Sequence, residues 1–224
     1  MCGRFTLIAP GEAIAELFQL SDVPTLVPRY NIAPTQPVAA VRLSQSSTAR
    51  ELTYFHWGLI PRWAKDPKIG SRMINARSET AAEKPSFRAA FKYRRCLVPA
   101  DGFYEWQKVN GGKQPVRIQM KSGRPFAIAG LWEHWISTDG SEIESCTLLT
   151  TDPNDLLRPV HNRMPVLVDP ADFDIWLDSK TYPGPDIQKL LRPYSDDEMT
   201  FYPVSTHVNN PRNEDLLCIE PLAI

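Results

Sequence analysis

The chain has 224 residues and a formal net charge of −1, with 42% hydrophobic and 23% charged residues. That apolar content supports a sizeable core and excludes a mainly disordered chain, and the absence of any run of about 18 apolar residues excludes a helical membrane span. The four cysteines, Cys2, Cys96, Cys146 and Cys218, have neither metal-type spacing nor disulfide density, and the opening MCGRFTLIAPGEAIAELF lacks the basic and apolar regions of a signal peptide. Free thiols in a reducing cytoplasm are therefore expected.

Residues 2–8 alternate as a short strand, and residues 12–20 place Ile14, Leu17 and Phe18 on one helical face. Residues 37–43 and 51–60 read as strands joined by the polar turn SQSSTAR. Residues 94–98 and 103–109 predict a strand pair around Asp101-Gly102. Gly111-Gly112 predicts a hairpin into residues 114–120, and Ser122-Gly123 another into 125–132. Residues 143–150 and 164–168 are further strands with a short helix or turn at 154–160 between them. Helices are expected at 172–177 and 186–191, and residues 179–198 read as a polar, proline-broken surface excursion. The 21 prolines are dispersed, which favours many fixed turns over a linker. The pattern predicts a single α+β domain over residues 1–224, with a mostly antiparallel, barrel-like β-sheet core and flanking short helices.

The near-neutral total conceals an asymmetry. Residues 62–95 hold ten basic and three acidic residues, whereas residues 161–224 hold five basic and eleven acidic ones. A basic stretch interleaved with Trp57, Trp63 and Phe87 suits a phosphate-tracking surface with stacking platforms, or simply a solvated basic loop.

Cys2 follows the initiator methionine, and its small side chain permits removal of Met1. The product carries an α-amine and a thiol on adjacent carbons. The amine has a reference pKa of about 8 against about 10.4 for lysine, so far more of it is neutral near pH 7. Such an aminothiol condenses with an aldehyde to an imine, and the thiol then closes a thiazolidine. The residues also admit an incidental small apolar cysteine. MCG opens the class II glutamine amidotransferases too, whose N-terminal cysteine attacks an amide.

Seven segments decide among these. MCGRF at 1–5, RYNIAPTQ at 29–36, WGLIPRWA at 57–64, INARSET at 74–80, CLVPADGFYEW at 96–106, HNRMPV at 161–166 and PVSTHVNN at 203–210 occur in order. Together they resemble the SOS-response-associated peptidase (SRAP) family. That resemblance implies a sensor that forms a covalent thiazolidine link through Cys2 to abasic sites in single-stranded DNA, shielding the lesion. It also implies autoproteolytic removal of Met1. A thiol peptidase acting on other proteins and a non-covalent reader of modified cytosine are the alternatives. No metal or cofactor is expected, since the sequence has no CxxC or HExxH, its histidines are scattered and no glycine-rich loop follows a strand; a cytoplasmic monomer, nucleoid-associated in a bacterial host, is expected.

The resemblance assigns catalytic roles to four residues. Asn75 holds the sugar or the Cys2 backbone. Glu105, between Tyr104 and Trp106 in an apolar strand, is expected to be buried with a raised pKa, and protonates the sugar ring oxygen. His161 shuttles protons through imine formation and its reversal. Cys2 is the nucleophile. Arg4, Arg77 and Arg163 match positions that hold DNA phosphates, and Pro34 and Trp63 match positions that wedge or stack on bases. Phosphate contacts carry no sequence information, so little sequence preference is expected. His56, His134 and His207 read as structural or surface residues.

Overall fold

A computed structural model of the protein describes residues 2–44, 49–179 and 185–222. Its elements are, in chain order, β1 (Phe5–Leu7), α1 (Gly11–Phe18), β2 (Arg29–Ile32), β3 (Pro37–Leu43), β4 (Arg50–Trp57), β5 (Asn75–Arg77), α2 (Ser78–Ala81), α3 (Arg88–Tyr93), β6 (Arg95–Ala100), β7 (Gly102–Val109), β8 (Gly112–Met120), β9 (Phe126–Ile136), β10 (Glu142–Thr151), β11 (Met164–Pro165), β12 (Leu167–Val168), α4 (Phe173–Leu177), α5 (Pro185–Leu190) and β13 (Met199–Pro203). No helix among the described residues is long and apolar enough to cross a membrane. The centre of the predicted turn at 44–50 and residues 180–184 of the predicted polar excursion lie outside the described residues.

Strands β4, β3, β6, β9 and β10 form a ring. Each neighbouring pair is antiparallel except β10 with β4, which is parallel and sits where the ring closes. β5 adds in parallel to β10, and β11 and β12 extend β10 and β9. The register places Val38 opposite Phe55, Cys96 opposite Gly130 and Cys146 opposite Trp132, so these side chains point to one face. All are buried and fill the barrel as a core. Gly130 is required there, because a Cβ at that position would stand 2.8 Å from the Cys96 Sγ. Arg42 closes one end. It lies over the rings of Trp132 and Phe55, at 4.7 and 5.5 Å, and is neutralised by Glu51 and Glu144 at 2.8 and 2.7 Å.

The outer wall of the barrel is covered by the helices. α1 forms from the predicted apolar stripe and ends at Gln19, which adopts the left-handed conformation at φ 53°. Its Phe18 stacks on Phe173 of α4 at 5.1 Å, and the Trp176 indole N–H donates to the Cys96 carbonyl at 2.8 Å. Arg95 is buried and donates to the carbonyls of Phe91, Trp176 and Asp178, satisfying the ends of α3 and α4.

A second, fully antiparallel sheet runs in the order β13-β8-β7-β1-β2. Its far face carries a small core of Tyr104, Val204, Val208 and Cys218, built from the C-terminal segment. The expected α+β class and barrel-like core are both present. Two expected pairings are not. β6 and β7 are adjacent in sequence but belong to different sheets, and so do β8 and β9.

The first of these corners has a clear cause. The Asp101 carboxylate accepts the backbone N–H groups of Ile8 and Ala9, the Thr6 hydroxyl and the Arg117 guanidinium. These bonds turn the chain out of the barrel. Gly102 follows because a Cβ there would meet the Arg117 guanidinium at 2.7 Å. Ser122-Gly123, with φ +70° at the glycine, returns the chain to the barrel.

Asp101 and Arg117 are both almost fully buried, 8% and 5% exposed. Removing one partner leaves an uncompensated buried charge, which costs about 3–5 kcal/mol. Asp101→Ala is therefore expected to lower the melting temperature by roughly 10 °C, checked by thermal unfolding. A change within about 1 °C would show that the corner does not depend on this pair.

Candidate functional site

The site is assembled where the start of the chain meets the second sheet. The Tyr104 N–H donates to the Arg4 carbonyl at 2.9 Å and continues the β1–β7 pairing toward the terminus. Cys2 thereby lies beside Glu105 on the barrel side of the sheet. Cys2 is fully buried, with its Sγ 3.9 Å from the Arg4 carbonyl. Asn75 reaches it from the barrel, its Nδ2 donating to the Cys2 carbonyl at 2.8 Å. β5 is held in place for this by its parallel pairing to β10 and by the Trp57 indole N–H on the Ile74 carbonyl at 2.8 Å.

Glu105 is 3% exposed and His161 half-buried, and the His161 Nε2 stands 3.9 Å from the Glu105 Oε2. The His161 Nδ1 lies 3.0 Å from the Arg163 backbone N–H and 3.3 Å from the Arg163 carbonyl, which fixes the ring so that Nε2 is directed at the carboxyl group. Four residues expected from distant segments of sequence, Cys2, Asn75, Glu105 and His161, thus converge.

Burial shapes the chemistry of all the titratable members. Desolvation pushes Glu105 up to about 7, as its apolar strand led one to expect. Desolvation also holds His161 below the ordinary histidine value. The Cys2 thiol is raised by burial and, secondarily, by the Glu105 charge. Near neutral pH the cluster therefore offers a carboxylic acid that can give a proton, an imidazole that can take one, and a thiol that needs a base.

The basic residues divide. Arg77 is exposed, two residues along β5 from Asn75, and makes no side-chain hydrogen bond with the described residues. Trp63 is 59% exposed at the tip of a loop whose base is locked by the close approach of Gly58 and Gly70; a Cβ on Gly58 would lie 2.6 Å from the Gly70 carbonyl oxygen. Pro34 is half-buried in a turn tied to the same end of β4 by the Thr35 N–H on the Trp57 carbonyl at 2.8 Å.

Arg4 sits on the opposite face of the sheet from Glu105. Its guanidinium donates to the Asn31 Oδ1 and the Val208 carbonyl, both at 2.9 Å, and to the Asn209 carbonyl at 3.3 Å. Arg163 is enclosed by Glu79, Asp152 and the Thr150 carbonyl. Of the ten basic residues in 62–95, Arg94 and Arg95 turn inward, to Glu133 and to helix-end carbonyls. Trp57 and Phe87 are core residues rather than stacking platforms, at 0% and 8% exposure, because the barrel needs their volume.

Reading the residues in sequence missed the anchors of this arrangement: Asn31, Glu79, Asp152 and Asn209. Asn31, Glu79 and Asn209 lie inside the matched segments, but a polar residue's partner is set by the fold. His56 and His134 are structural or surface residues as expected. His207, Asp215 and Cys218 bring one nitrogen, one oxygen and one sulfur within 4.8 Å of one another. Asn213 donates to the His207 Nδ1 at 3.1 Å, which leaves Nε2 to carry the proton aimed at Asp215. That arrangement is a hydrogen-bonded staple of the C-terminal loop, with the nitrogen lone pair facing away from the other two groups.

The Glu105 shift makes a stability prediction. The carboxyl group titrates near 4.3 in an unfolded chain and near 7 in the folded protein. Stability from this group is fully present below about pH 4 and is lost as pH rises through about 7. Glu105→Gln cannot ionise and escapes that loss. Its advantage over the wild type should grow by roughly 2–3 kcal/mol between about pH 5 and about pH 9, read from denaturant unfolding at the two pH values. Parallel pH dependence in the two proteins would contradict the buried, protonated assignment.

Comparison with known proteins gives the family and the fold. Residues 1–211 match the family described as SOS response associated peptidase (SRAP). The chain is 44% identical over 224 residues to the abasic site processing protein YoqW of Bacillus subtilis, covering 98% of this chain and 99% of that one. It is 36% identical over 228 residues to the abasic site processing protein HMCES of Xenopus tropicalis, covering 88% and 67% respectively. Among solved structures, a Bacteroides thetaiotaomicron protein superposes with a TM-score of 0.88 at 25% identity, covering 99% of this chain and 100% of that one. The chain belongs to the SRAP family.

Proposed function

We propose that this protein processes abasic sites in single-stranded DNA by capturing them covalently through Cys2. The observation that carries the reading is the convergence of a buried thiol next to the chain start with a carboxyl group near pKa 7 and an imidazole. An abasic deoxyribose is a masked aldehyde, and a 1,2-aminothiol is the partner that converts an aldehyde into a persistent ring. The names of the relatives support abasic-site processing.

The steps follow from the side chains. Hydrolysis of the Met1–Cys2 bond, which we assign to this same site, frees the Cys2 amine. Protonated Glu105 gives its proton to the sugar ring oxygen as the hemiacetal opens to the aldehyde. The amine adds to the aldehyde carbon, and loss of water leaves an imine. His161 accepts and returns the protons moved in these steps. The Cys2 sulfur then adds to the imine carbon, its proton passes to nitrogen, and the thiazolidine closes. No electron is gained or lost overall. Asn75 holds the Cys2 carbonyl throughout, so that the amine and thiol present one geometry.

The strand is gripped without reading its bases. Arg77 is an exposed cation two residues along β5 from Asn75, and Trp63 and Pro34 offer a stacking face and a wedge. We read Arg163 and Arg4 as reaching phosphates only in so far as they exchange their present partners. The working unit in this reading is one domain over residues 1–224, acting as a monomer in the cytoplasm.

Cys2→Ala is expected to give no heat-stable adduct with abasic single-stranded DNA on denaturing gels, and Cys2→Ser at most an imine that borohydride traps. A wild-type adduct from Cys2→Ala would sink the thiazolidine. Turnover of peptides in place of an adduct would favour a peptidase, and tight binding of modified duplex without a covalent product would favour a cytosine reader. Arg77→Ala should weaken binding across all sequences and reduce the log–log salt slope by about 0.7 for a single strand. An unchanged slope would remove Arg77 from the phosphate surface.

A further inference from the structure

Arg163 spends all four of its terminal N–H groups on the protein. Nη1 donates to the Glu79 Oε1 at 2.6 Å and the Asp152 Oδ1 at 2.9 Å; Nη2 donates to the Glu79 Oε2 at 2.8 Å and the Thr150 carbonyl at 2.6 Å. The Glu79 carboxylate therefore engages the guanidinium through both oxygens, the strongest geometry available to this pair. The Arg163 side chain is only 12% exposed, whereas Asp152 is 79% exposed and contributes a single oxygen. Glu79 is the dominant partner.

The pair joins two segments that each carry one member of the site. Glu79 lies in the first turn of α2, which starts directly after β5, the strand that carries Asn75. Arg163 lies two residues from His161, in the irregular stretch between β10 and β11, and its own N–H donates to the His161 Nδ1. The Arg163 backbone, with its N–H and its carbonyl both within reach of Nδ1, thus fixes the ring so that Nε2 faces Glu105. The rest of that stretch is a series of turns. The Asn154 side chain organises its beginning by accepting the Leu157 N–H at 3.0 Å, and the buried Leu157 holds the His161 backbone by accepting its N–H at 2.9 Å; the His161 ring is oriented by Arg163.

We propose that Glu79 is a positioning residue of the abasic-site reaction, acting through Arg163 to hold the His161 imidazole in one orientation and one tautomer against Glu105. This rests on the reading of the site given above. Glu79 touches no reacting atom; it sets where the base stands relative to the Asn75-held Cys2. It also keeps Arg163 occupied, so weakening the pair frees a cation next to the site.

The test is Glu79→Gln, which keeps the length and the helix turn but removes the charge and one acceptor. Two readouts are needed. The first is the 15N NMR signature of the His161 ring in DNA-free protein at about pH 8, where the wild type is expected to show a single tautomer. The second is the rate of crosslinking to abasic single-stranded DNA, set against equilibrium affinity for the same strand without the lesion. Glu79→Gln should give mixed tautomers and a crosslinking rate lowered about 10- to 100-fold, the range that misplacing a reacting group by an ångström can cost. Affinity for the undamaged strand should stay within about twofold or tighten, because Arg163 is released toward phosphate.

An unchanged tautomer overturns the proposal, whatever the rate. A rate that falls only in proportion to affinity overturns it too, since Arg163 would then be simply a DNA contact. A lower melting temperature with intact His161 signature makes the pair a stability element only, and likewise overturns it. Should wild-type protein form no adduct at all, the abasic-capture reading fails, while the tautomer still decides whether Glu79 orients His161.

Discussion

The pairing of the first strand with β7 is the constraint on which the site depends. Chain termini ordinarily fray because few contacts hold them. Here the nucleophile stands three residues before a three-residue strand, so its precision is only as good as that strand's anchorage. Three sets of bonds supply it. The Tyr104 N–H extends the ladder to Arg4, the Asp101 carboxylate takes the N–H groups of Ile8 and Ala9 at the other end, and Arg4 ties the strand to the C-terminal segment across 204 residues of sequence. The two faces of one strand are thus given different work. Arg4 and Thr6 fasten it outward, while Phe5 and Leu7 face the main core, to which Cys2 ahead of the strand also belongs.

The same burial that fastens the terminus sets the protonation states. Moving a carboxyl group, an imidazole and a thiol out of water favours the neutral form of each. The result is an acid, a base and a dormant nucleophile that coexist near pH 7 without strong mutual charge. The partners of the nearby arginines are the counterpart of this arrangement. Arg4, Arg95, Arg117 and Arg163 are all held by carbonyls or carboxylates of the protein itself. The exposed positive charge of residues 62–95 is consequently carried by the loop from Arg62 to Arg72, by Arg77 and by Lys84, Arg88 and Lys92.

Fold class, the helical stripe of α1, strand β3 residue for residue, and the hairpin at Gly111-Gly112 were legible because they depend on local periodicity and turn chemistry. The turns at Asp101-Gly102 and Ser122-Gly123 were legible too, but their meaning was not. A turn signal marks a reversal or a corner without saying which strand lies beyond it. Whether β6 meets β7 was decided by where the Asp101 carboxylate found its donors, ninety or more residues upstream.

The same division runs through the site. By itself the sequence determined the reactive inventory: an aminothiol latent at Cys2, a carboxyl group in an apolar strand at Glu105, a histidine at 161, an exposed tryptophan at 63 and a basic stretch around it. Those are properties of residue type and near neighbours. Only the tertiary structure decided which groups meet and which charges remain available. It brought Cys2, Asn75, Glu105 and His161 together from four segments, turned Arg4 to the opposite face, and enclosed Arg163 between Glu79 and Asp152. The physical reason is that a charged or polar side chain takes whatever complementary group the packed backbone brings within about 3 Å, and that distance is a property of the fold rather than of the motif.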